Sequence, residues 1–251
     1  MKRILEHVET KKGELARSPF LRFVSDSSLE PVQRFGFVPC LAPFVMAFMD
    51  INKHILRQEP SQEPLQRLLN TQSHEEDSHW HMYLKDLRTL GLHHCADLTQ
   101  ALKLLWGEEC KRTRLMVYEL TGLFLRHESP SMRLALVEAI EGTADASFGL
   151  FSQAAAELEA QTGKRLYYFG MTHEMLEDKH SLGSDAGAAA LEAVVFSPSE
   201  EAEALRAVDR VFELFEMMFE ELLQYALRAD TGAVSSLAEA RQAREDEAIA
   251  A

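Results

Sequence analysis

Two short stretches, SHEEDSHWH (73–81) and GMTHEMLEDKHSLG (170–183), are dense in side chains that can bind a metal ion. In the first, Glu76 and His79 form E-x-x-H, and residues three apart share a helix face. In the second, Glu177 and His180 repeat that spacing and His173 stands four residues earlier. A helix turns about 100° per residue, so His173, Glu177 and His180 would lie within roughly 60° of one another. Between the two stretches runs LVEAIEGTADASFG, where Glu138 and Glu141 stand among Leu136, Val137, Ala139, Ile140 and Ala144. A carboxylate in such company is costly to bury unless it is paired or binds a cation.

Taken alone, each piece has a plainer reading: Glu76 and His79 as a solvated face, Glu141 as a carboxylate whose tip reaches the surface. Together they make the donor set of a carboxylate-bridged di-iron site in a helical bundle. Imidazoles and carboxylates hold Fe(II), carboxylates can bridge two ions, and the mixed set leaves positions open for O2. The six ligands would be Glu76, His79, Glu141, His173, Glu177 and His180. Weaker candidates, as ligands or as partners of ligands, are Glu75, Glu138 and His81. His93 and His94 read as loop.

The elements that must position these residues are helical. Leu102, Leu104, Leu105 and Trp106, then Leu115, Val117, Leu120 and Leu123, recur largely at three- and four-residue spacings. The only strand-like fragment is Leu166–Phe169. Ser129-Pro130 predicts the start of a helix running through Phe148, and Ser197-Pro198-Ser199 followed by Glu200 and Glu201 predicts another, to about Leu227. Breakers near 18–32, 59–64, 91–97, 128–130, 162–164, 182–188 and 197–200 leave about seven long helices, an all-α bundle spanning residues 1–228. Residues 229–251, rich in Ala, Glu and Arg, read as a frayed or disordered tail.

The 251 residues carry 26 Lys and Arg against 40 Asp and Glu, a formal charge of −14, which argues against nucleic-acid or anionic-membrane partners. Prolines 39 and 43 interrupt the most apolar segment, Val38–Met49, which is too short to span a bilayer. The start has no apolar signal region, and Cys40, Cys95 and Cys110 are scattered, so a reducing cytoplasm is the expected location.

At its ligand residues the chain resembles the haem-oxygenase-like di-iron oxidases and oxygenases, relatives in fold of the TenA and PqqC proteins. That family's last ligand helix reads aromatic-x3-His-x3-Asp-x2-His, which here is Phe169, His173, Glu177 and His180. Its earlier ligand helix reads carboxylate, His, an apolar pair and Leu-Gly, matched by Glu76, His79, Met82-Tyr83 and Leu90-Gly91. The middle carboxylate falls on Glu141. Glu177 departs from the family's Asp, and Asp50 is the candidate for an extra carboxylate that some members place on the first core helix. The resemblance covers roughly residues 36 to 225 and implies a single haem-oxygenase-like domain. It further implies two Fe(II) ions per chain, one often loosely held, O2 as co-substrate, an electron donor, and a homodimer. The implied substrates are amino-acid or fatty-acid derivatives, with N-oxygenation, desaturation, C–C cleavage or decarboxylation as reactions. Two alternatives remain: a metal-free enzyme of the same fold binding a heterocycle, which needs a catalytic cysteine or a basic pocket, and a non-catalytic iron-binding helical protein.

Overall fold

Ser18-Pro19, Glu63-Pro64, Ser129-Pro130 and Ser197-Pro198 each start a helix, for one reason. Proline needs no N–H partner in a first turn, and the side chain before it accepts a backbone N–H that the helix leaves over. Ser18 takes that of Leu21, Glu63 those of Leu65 and Gln66, Ser129 that of Met132, and Ser197 that of Glu200. The computed structural model describes residues 1–92, 97–177, 182 and 184–250.

Along the chain the helices are α1 (Lys2–Leu15), α2 (Pro19–Val24), α3 (Pro31–Arg34), α4 (Val38–Ile51), α5 (Pro64–Glu76) and α6 (Trp80–Thr89). Then come α7 (Leu98–Trp106), α8 (Lys111–Arg126), α9 (Pro130–Thr162), α10 (Met171–Glu177), α11 (Asp185–Glu192) and α12 (Pro198–Ala250). The described residues are all-α, with no strand among them. The division is finer than about seven long helices, from four residues in α3 to 53 in α12. Two helices outrun their expected ends. Helix α9 continues past Phe148 to Gly163, whose φ of +70° ends it in the left-handed conformation that glycine adopts freely. Helix α12 continues past Leu227 to Ala250, across Thr231 and Gly232 into a stretch rich in Ala, Glu and Arg.

Helix α9 is the spine. It packs against α1, α5, α10 and α12, while α12 also packs against α8, and α8 against α4. Its buried residues, among them Leu134, Leu136, Ile140, Phe151 and Leu158, fall on more than one face, as expected of a helix surrounded by others. At Gly142 a Cβ would stand 2.7 Å from a Val8 methyl, so only glycine lets α1 lie this close. Phe20, Phe37, Phe151 and Phe169 interlock beside it, with Phe20–Phe37 centroids 4.9 Å apart and Phe151–Phe169 5.5 Å apart. Each such burial contributes about 1.5–3 kcal/mol. No helix among the described residues is long and apolar enough to cross a membrane.

Candidate metal centre

The first ligand pair does not lie on one continuous helix, as its spacing predicts. Helix α5 ends at Glu76, residues 77–79 form a turn, and α6 begins at Trp80. The cause lies outside the segment. Arg57 donates to the Ser73 hydroxyl (2.9 Å), the Ser73 carbonyl (2.8 Å) and Asp77 (2.7 Å), satisfying the end of α5 where the chain turns. The turn still brings the pair together. Glu76 Oε2 is 3.2 Å from His79 Nδ1, and both residues are only 7% exposed.

His173 arrives from the opposite direction. The fragment 166–169 is buried irregular backbone rather than a strand, and it delivers the chain into α10. Buried N–H groups outside regular structure need partners. Asp86 of α6 supplies them, accepting from Tyr167 (2.7 Å), Tyr168 (2.8 Å) and Phe169 (3.0 Å). Burial pushes the Asp86 carboxyl up to about 6 while those donors pull it down. The Tyr168 carbonyl stands 2.9 Å from His173 Nδ1. A carbonyl can only accept, so Nδ1 carries a proton, and in the neutral form of the ring the lone pair is on Nε2. That Nε2 is 2.9 Å from His79 Nδ1.

Glu141 completes the wall from the middle of α9. Gln72 Nε2 donates both to Glu141 (3.0 Å) and to Glu76 (3.1 Å), tying the two carboxylates through one amide. Glu76, His79, Glu141 and His173 all line a cavity of about 80 Å³, otherwise walled mainly by apolar side chains such as Leu41, Phe44, Phe148, Phe215 and Phe219. That is room for several waters or part of a small substrate, since one water occupies about 10–15 Å³ on this measure.

These residues fit a divalent cation. Two ligand atoms bound at about 2.1 Å and at right angles stand about 3 Å apart, close to the 2.9 and 3.2 Å separations of the donors here. Two carboxylates face an apolar cavity, and no Lys or Arg stands among its described lining residues. Gln72 Oε1 and Trp80 Nε1 are buried with no partner among the described residues. At the same time, no three His, Cys, Asp or Glu side chains among the described residues form a complete metal-holding group. The donors face one another in hydrogen-bonded pairs, so a bound ion would have to turn them from each other toward itself.

No family model matches the chain, and no curated protein matches it.

The remaining candidates fall elsewhere. Glu177 ends α10, but its side chain, like the whole of His180, lies outside the described residues, as do His93, His94 and Cys95. Asp50 is exposed on α4, because its position in the helical period turns it away from the core. His81 is exposed too, stacked on Trp80 and 3.1 Å from the Ser78 carbonyl. Glu75 and Glu138 are half-buried, and neither lines the cavity. Burial pushes the Glu138 carboxyl up to about 7. Cys40 and Cys110 are buried away from the cavity; Cys40 stands 3.1 Å from the Glu109 carbonyl. Sequence reasoning missed Gln72 and Asp86. Gln72 lies one helical turn before Glu76, a spacing that could have drawn attention to it, whereas Asp86 has no local signal.

Proposed function

We propose that this protein is a non-haem di-iron oxidase or oxygenase with a haem-oxygenase-like bundle, using O2 to oxidise a small organic molecule. One observation carries the reading: two imidazoles and two carboxylates from α5, the turn before α6, α9 and α10 meet at a mainly apolar cavity with no Lys or Arg among its described lining residues. His79, His173 and Glu76 would hold one Fe(II), and Glu141 would share in the second with Glu177 and His180, as the family resemblance suggests. When bound, the ferrous pair supplies the electrons and open coordination positions for O2 activation.

The protein's own part follows from the residues. Tyr168 keeps the proton of His173 on Nδ1, so Nε2 remains a donor to a cation. His79 would give up the proton on Nδ1, which makes uptake release a proton or move it to Nε2. The phenylalanines and Leu41 exclude water and would seat the apolar part of an amino-acid or fatty-acid derivative. An external electron donor and a homodimer belong to the same reading. The metal-free alternative calls for a cysteine or a basic pocket, and the described lining has neither.

Anaerobic titration of metal-stripped protein with Fe(II), followed by O2, tests the proposal. Uptake of about two ions per chain and O2-dependent loss of the ferrous form are expected. No uptake, with Glu76→Ala and His180→Ala indistinguishable from the parent, would overturn it. Uptake and oxidation with no organic substrate consumed across a panel of such acids would leave the non-catalytic iron-binding alternative.

A further inference from the structure

We propose that Asp86 is the positioning residue for the His173 imidazole, acting through the buried turn that leads into α10. What the imidazole then holds rests on the metal-centre reading; its placement does not.

One peptide unit links the carboxylate to the ring. A trans peptide is planar, so its N–H and C=O point in opposite directions. In the unit joining Tyr168 to Phe169, the N–H of Phe169 is bound by Asp86 Oδ2 at 3.0 Å. The carbonyl of Tyr168 must then point away from Asp86, and there it meets His173 Nδ1 at 2.9 Å. Two further N–H groups, of Tyr167 and Tyr168, hold the same carboxylate. Three donors from consecutive residues leave the turn no freedom to rotate that carbonyl. The ring is thereby fixed as the Nδ1–H tautomer, with Nε2 turned to His79 at 2.9 Å.

The position of Asp86 gives this a second consequence. It lies seven residues after His79, two helical turns along the same face. Tyr83 stands between them on that face, its hydroxyl donating to the Val38 carbonyl at 2.7 Å and its ring edge-on to Tyr168, centroids 5.7 Å apart. One imidazole thus stands on the turn that opens α6, and the interior of that helix sets the direction of the other. Asp86 is fully buried, so its geometry owes nothing to solvent. An asparagine there keeps the volume but keeps only one acceptor oxygen, so its NH2 group must face either the N–H of Tyr167 or those of Tyr168 and Phe169.

The test reads the ring itself. In metal-stripped, 15N-histidine-labelled parent, assigned with His173→Ala, the His173 resonances should be those of the Nδ1–H tautomer. In Asp86→Asn they should move toward the Nε2–H tautomer, and affinity for Co(II) alone should fall about tenfold to a hundredfold. Leu158→Ala, a core truncation in α9, should lower the melting temperature without moving either readout. If Asp86→Asn melts lower but keeps the parent's tautomer, Asp86 serves stability alone and the proposal is overturned. If Asp86→Asn does not fold, amide exchange of the parent decides: Tyr167, Tyr168 and Phe169 should exchange as slowly as the interior of α6, and rapid exchange overturns it. A parent that takes up no metal but shows the tautomer shift would sink the metal-centre reading and leave Asp86 in its role.

Discussion

Glu76 ends a helix beside two buried imidazoles, whereas Glu141 stands in the middle of a 33-residue helix with an amide for its neighbour. Around Glu76, donors come from the end of α5, the turn before α6, and α10, each fixed by backbone hydrogen bonds outside the donor set. Around Glu141, the helix fixes Cα and only side-chain rotation remains to adjust the carboxylate. A corner ordered before its ion arrives loses less conformational freedom on binding. The corner of Glu76, His79 and His173 should therefore bind first and tightest, and that of Glu141 second. Gln72 couples them, since one NH2 group serves both carboxylates.

His79→Ala is the harshest test of that ranking. Removing the atom that meets both Glu76 and His173 should weaken the tighter Fe(II) site by more than about a hundredfold, because losing only a ligand's supporting hydrogen bond costs tenfold to a hundredfold. Glu141→Ala should spare that site and take stoichiometry from about two ions to about one, as read by anaerobic equilibrium dialysis. If it abolishes both sites, the two corners are not distinct. Gln72→Ala removes the shared donor and should destabilise the metal-free protein by about 1–3 kcal/mol in urea denaturation. Added divalent cation should restore most of that loss; no rescue would mean that the amide serves packing alone.

Glu138→Gln should have the smallest effect, and on stability only. The folded carboxyl is raised to about 7 from an ordinary 4.5, so the native state keeps its proton where the unfolded chain has lost it. Parent stability should accordingly fall as pH rises from about 4.5 to about 7 and stay lower above that. The glutamine variant escapes the penalty, matching the parent at low pH and exceeding it by roughly 1–2 kcal/mol at pH 8. Its metal uptake should be unchanged, since Glu138 does not line the cavity. Equal stabilities at both pH values would contradict this placement.

What could be read in advance was local. Ser129-Pro130 and Ser197-Pro198 announce helix starts because cap and proline act within one turn. E-x-x-H at 76–79 found two of the converging donors, and the carboxylate among apolar residues at 141 found a third. The break at 77–79 escaped notice because its cause, Arg57, lies 20 residues from Asp77. Leu166–Phe169 looked like a strand because it is a run of aliphatic and aromatic residues, but the N–H groups of its last three residues are answered by a carboxylate 81 to 83 residues away rather than by a neighbouring strand. Gln72 acts only through partners on two helices, and an amide carries no charge to betray it. Asp50 sits within an apolar run, yet helical phase turns it outward.

Crystals grown anaerobically with Fe(II) and measured at the iron absorption edge test the central claim most directly. An anomalous peak about 2.1 Å from His79 Nδ1, His173 Nε2 and a Glu76 oxygen, with a second, weaker one beside Glu141, is the expected map. Full iron occupancy elsewhere, with those imidazoles still facing each other undisturbed, would contradict it.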